Sequence, residues 1–108
     1  MSKGMKEKQI LAVIKEPGKA PVVEPRLENT LDAFQKAVGG YIEAVTLCED
    51  LVIICNEEGR LLELPNNLDV CGVNFCGTIL AVGVNGDEFA SLKASKIPSV
   101  VRMMEGKT

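Results

Sequence analysis

The stretch YIEAVTLCEDLVIICNEEGRLLEL, Tyr41 to Leu64, decides the fold. Two apolar runs, YIEAVTL and LVIIC, are separated only by CED, which is the spacing of a hairpin. Leu51 to Cys55 is apolar without a break, as expected of a strand covered on both faces. Next comes NEEG, with Asn56 at the first turn position and Gly59 at the fourth, which fits a type I turn with a glycine bulge. RLLEL then reads as the returning strand. Strands joined by such short turns pair antiparallel.

Working outward, QILAVIKE (Gln9 to Glu16) is β-branched and apolar and reads as a buried strand. PGKAP ends it with turn chemistry. VVEPR follows as a short edge strand, because Pro25 has no N–H to give a central ladder. NTLDAFQKAVGG predicts a helix, capped by Asn29 with Asp32 three residues on, and with Leu31, Phe34 and Val38 on one face. Gly39 stands where a left-handed residue closes a helix. PNNLDVCG reads as a loop, VNFCGTILAVGV as a strand region broken at Gly77, NGDE as a turn and EFASL as extended chain. Ser95 caps a last helix with Ile97, Val100, Val101 and Met104 on its apolar face and Pro98 in its first turn. Together these predict an α+β fold: a mostly antiparallel or mixed sheet of about 5–6 strands with two helices on one face. The repeated βα alternation of a doubly wound fold is absent. One domain is expected over residues 9–108, after a flexible segment at 1–8.

Composition excludes several functions. The chain of 108 residues suits one small domain, and with aromatics at 4% its core rests on aliphatic side chains. The net charge is −3, and it is uneven: residues 27–69 carry nine acids against two Lys/Arg. No basic stripe marks a nucleic-acid binder. No apolar run is long enough for a transmembrane helix. The start MSKGMKEKQ lacks the apolar region of a signal peptide, so reduced thiols in a cytoplasm are expected. With no histidine, Ser-His and Cys-His pairs and His-metal sites are impossible. Cys48, Cys55, Cys71 and Cys76 match no common zinc spacing, and GTILAVGVNG lacks the Lys-Ser/Thr ending of a phosphate loop. No catalytic residue, metal or cofactor is expected.

The remaining candidates are binding residues. Gly40 is not needed to end the helix, so Gly39 and Gly40 suggest a close approach of something to the backbone. Tyr41, the single tyrosine, could stack on a flat group beside them. Glu43, on a strand next to a buried one, is the best-placed carboxylate, while Glu57 and Glu58 lie in the turn. Asn56 can accept hydrogen bonds, Arg60 supplies a cation and Asn67 could line a site.

The segments ILAVIKEPGKAPVVE, LENTLDAFQKAVGGYIEAVTL, LVIICNEEGRLLELPNN and CGTILAVGVNGDEFASL, in that order, resemble domain-of-unknown-function family 3846, a family of phages, plasmids and conjugative elements. Its signature falls here on Gly39, Gly40, Tyr41, Glu43, Asn56, Glu58, Gly59, Pro65 and Asn67. The resemblance implies a small accessory protein of a mobile element in the cytoplasm of a bacterial host. It carries over no settled activity. The leading expectation is a counter-defence binder that sequesters a small nucleotide-type ligand, in a pocket that a homo-oligomer could share. The alternative is a module that inhibits a host immune protein through the acidic middle segment, steered by charge.

Overall fold

The central strands are the ones whose sequence is apolar on both sides. In the computed structural model, which describes residues 7–106, the elements run β1 (Gln9–Lys15), β2 (Val22–Glu28), α1 (Leu31–Val38), β3 (Ile42–Cys48), β4 (Leu51–Asn56), β5 (Asn66–Val70), β6 (Val73–Cys76), β7 (Ile79–Asn85), β8 (Glu88–Ala90) and α2 (Ile97–Met104). The main sheet has the order β2-β1-β7-β4-β3, with β8 also on β7, and β5 and β6 form a separate hairpin. Every pairing is antiparallel. The fold is α+β, as the pattern of turns and runs predicts.

Successive residues of a strand point to opposite faces, so β1, β7 and β4 build two cores at once. Ile10, Ala12, Val52, Ile54, Leu80 and Val82 meet Phe34 and Val38 of α1 on one face. Val13, Ile53, Cys55, Ile79 and Ala81 meet the β5–β6 hairpin and α2 on the other. Each buried Val, Leu or Ile side chain among them contributes about 1.5–3 kcal/mol. The two helices therefore lie on opposite faces, not on one. The helical spacing gives the width of an apolar stripe but not the side of the sheet that receives it.

Three further expectations are corrected. RLLEL is not a strand: the chain from Glu57 to Glu63 is a turn, closed by Leu62 N–H on the Glu58 carbonyl (2.9 Å) and Leu64 N–H on the Gly59 carbonyl (2.9 Å). Its leucines lie outside the core, with Leu61 at 81% exposure. The Asn56–Gly59 turn forms, with Gly59 N–H on the Asn56 carbonyl at 3.2 Å, but without a glycine bulge. Gly59 is small for another reason, since a β-carbon there would stand 3.1 Å from the Cys76 carbonyl oxygen. PNNLDVCG is not a loop, because Leu68 and Val70 alternate into the core and make β5.

The caps also shift. Thr30, not Asn29, caps α1, its Oγ1 accepting the Ala33 N–H at 3.1 Å. Asn29 is buried instead and donates to the Glu7 and Phe89 carbonyls at 2.8 and 3.0 Å. Ser95 sits in a 3₁₀ turn, Ala94–Lys96, and α2 starts after it without a side-chain cap. Gly39 ends α1 as expected, at φ +82° with its N–H on the Gln35 carbonyl. The flexible segment expected at 1–8 falls mostly outside the described residues. Glu7, inside them, accepts from the Ser91 N–H and hydroxyl, both at 2.9 Å.

Candidate functional site

A cleft of about 290 Å³ opens where the sheet edge, the 57–63 turn and the hairpin meet. Its walls take Glu43 and Val45 from β3, Cys55 and Asn56 from the end of β4, Glu57, Glu58 and Arg60 from the turn, and Phe75 and Cys76 from β6. β3 delivers Glu43 because it pairs with Cys55, so that both side chains face the hairpin. The turn is pinned at its start: Glu58 N–H donates to Asn56 Oδ1 at 2.7 Å. Arg60 leans on the hairpin, its guanidinium donating to Asn74 Oδ1 at 3.4 Å. Asn74 in turn donates to Asp69 and Asn66 at 2.6 and 2.7 Å, which ties the outer face of the hairpin into one polar ladder.

The cleft is acidic, with Glu43, Glu57 and Glu58 against Arg60 as the one cation among its described walls. Burial pushes the Cys55 thiol up to about 11, and the Glu43 carboxylate adds to the shift. Cys55 therefore stays protonated at neutral pH and acts as a small core residue, not a nucleophile. Among the described residues no group of three or more His, Cys, Asp or Glu is placed to hold a metal ion.

The predicted site residues fall in three places. Glu43, Asn56 and Arg60 share the cleft. Gly39, Gly40 and Tyr41 lie just beyond it, at the α1–β3 junction. Tyr41 is 67% exposed and its carbonyl accepts the Glu57 N–H at 2.8 Å. What approaches Gly40 is Asn56 of the same chain, whose Nδ2 donates to the Val38 carbonyl at 3.1 Å. Asn67 lies on the other side of the hairpin. It accepts from Lys15 Nζ at 3.1 Å and donates to the Lys15 and Gly77 carbonyls at 2.8 Å each. Residue-by-residue reading missed Leu61, Asn74 and Cys76, since nothing in VNFC or RLLEL marks a side chain that only hairpin docking brings to the cleft.

The model of a family described as Domain of unknown function (DUF3846) matches residues 8–105. The chain belongs to the DUF3846 family. The match runs from the start of β1 to the end of α2, so the DUF3846 unit is the whole two-faced sheet together with the hairpin that forms the cleft. Neither a curated protein nor a solved structure matches this DUF3846 chain.

Proposed function

We propose that this chain is a non-catalytic interaction domain that takes a basic segment of a partner protein at the cleft between β3, the 57–63 turn and β6. The observation that carries this reading is the make-up of the cleft's rim: Glu43, Glu57 and Glu58 stand beside Leu61, which is 81% exposed. Carboxylates select a Lys or Arg and steer its approach, and a solvent-facing aliphatic chain gains by being covered. The mobile-element setting implied by the resemblance would make a host protein, an immune one among them, the partner.

A nucleotide-type ligand draws less support. Its phosphates would meet three carboxylates and a single guanidinium. Asn56 is 5% exposed and both ends of its amide are engaged within the chain, which leaves it poorly placed to read a base.

The test is a binding titration against a library of extended peptides carrying Lys or Arg, run beside cyclic dinucleotides and ADP-ribose. Peptide binding that weakens with salt and is lost in a Glu43→Gln/Glu57→Gln/Glu58→Gln variant is the expected result. Tight nucleotide binding without peptide binding would overturn the proposal.

A further inference from the structure

β3 is an outer edge of the main sheet, paired with β4 on one side only among the described residues. Its register with β4 tells which of its backbone groups are spent. The Glu57 N–H donates to the Tyr41 carbonyl, so Tyr41 and Glu57 face each other as a hydrogen-bonded pair. Such pairs alternate along an antiparallel ladder. Glu43 opposite Cys55 and Val45 opposite Ile53 are then the next bonded pairs. Ile42, Ala44 and Thr46 must turn both N–H and C=O away from β4, toward the open edge. Natural edges are commonly blunted by lysine, proline or a bulge. The other edge, β2, carries Pro25 and an irregular register against β1. Ile42 to Thr46 carries neither proline nor lysine, its one charge, Glu43, lies on the cleft side, and the β3–β4 register is regular until after Thr46.

We infer that β3 is completed by an extended strand of a partner protein, hydrogen-bonded to the outward backbone groups of Ile42, Ala44 and Thr46. This rests on reading the cleft as the binding surface and adds how the segment is held. An added strand runs about 4.8 Å from β3 and sends alternate side chains to each face. Those on the face of Glu43 and Val45 reach over β3 into the acidic cleft, so the segment carries Lys or Arg at alternate positions there. Main-chain bonds then supply affinity and the cleft supplies specificity. Charge also decides against a second copy of this chain as the occupant. Residues 27–69, which contain β3, hold nine acids against two bases, and pairing two copies edge to edge would set these segments against each other.

Hydrogen exchange on the unaltered chain tests this, with peptides of alternating Lys and Val as the probe. The amides of Ile42, Ala44 and Thr46 exchange fast in the free chain and slow on binding, while those of Glu43 and Val45 are slow in both states. An Ala44→Pro variant, which removes an outward donor but no ladder bond to β4, binds about tenfold more weakly with its melting temperature retained. If the peptides bind and the Glu→Gln variant loses them, but the three amides stay fast, strand addition is overturned and the cleft reading stands. If no peptide binds, both fall. Slowing of the three amides with protein concentration alone makes a second copy the occupant and overturns the proposal.

Discussion

Asn56 lies so close over Gly40 that a β-carbon on Gly40 would stand 3.0 Å from its amide nitrogen. The asparagine cannot give way cheaply, because Val38 and Glu58 hold it at both ends of the amide. The paired glycines thus have separate causes: Gly39 serves a left-handed helix end, and Gly40 makes room for the side chain that fastens α1 to the end of β4.

Gly40→Ala is therefore expected to destabilise the fold by about 1–3 kcal/mol through overpacking. Gly39→Ala, with open space around its β-carbon, loses about 1 kcal/mol through backbone conformation alone. Urea unfolding separates the two causes. In an Asn56→Ala background the cost of Gly40→Ala falls to about 0.5 kcal/mol or less if contact is the cause. An unchanged cost there would refute it.

Asn67 bridges two strands that are far apart in sequence. It holds the Lys15 ammonium and carbonyl of β1 and the Gly77 carbonyl between β6 and β7, and so anchors the start of the hairpin to the sheet. Lys15 is itself 7% exposed. Asn67→Ala leaves a buried ammonium with one partner fewer and should cost about 2–3 kcal/mol. Asn85→Ala, on an exposed strand end, should stay within about 0.5 kcal/mol. Equal midpoints for the two variants in thermal melts would show that the bridge adds nothing.

These two residues also show where the sequence was legible. The runs LVIIC and GTILAVGV were readable because a strand buried on both faces has no polar residue to hide its period. Gly39 was readable because the helix before it ends there. Leu61 and Leu62 misled: apolar residues promise burial only when packing delivers it, and local backbone bonds closed the turn first. In β5 the asparagines suggested a loop, although Leu68 and Val70 already alternate as a strand does. The cleft was half legible. Glu43, Asn56 and Arg60 each stand out in the sequence, but their meeting depends on the hairpin folding back over the sheet, and no local pattern encodes that.

The two-residue turn of the hairpin carries Cys71 at φ +50° and Gly72 at φ +81°. Both central residues of this tight turn are left-handed, the conformation that favours Asn followed by Gly. A cysteine there is strained and has an exposed thiol besides. Cys71→Asn should raise stability by about 0.5–1 kcal/mol, read as a higher melting temperature with the peptide affinity unchanged. A lower melting temperature would mean that the thiol makes contacts worth more than the strain.

Asp50 joins the β3–β4 turn to the helical end of the chain, through Lys96 at 2.6 Å and Lys93 at 3.7 Å. The hydrogen bond from Lys96 holds the Asp50 carboxyl below its ordinary value of 3.8, and the same bond lifts Lys96 above 10.5. The two shifts agree in sign with one stabilising pair. A depressed carboxyl contributes stability that is complete above its unfolded value and disappears as pH falls through the folded one. A raised amine contributes stability that is complete below its unfolded value and disappears as pH rises through the folded one. The pair should therefore act fully between the ordinary values of Asp50 and Lys96, 3.8 and 10.5, and fade outside that window on both sides. The stability lost in Asp50→Asn should be flat across the window, shrink at either extreme, and shrink with added salt, since the pair is open to solvent. Denaturation of both proteins as a function of pH checks this. A difference that persists at pH values well below the aspartate range would show that Asp50 acts through packing and not through its charge.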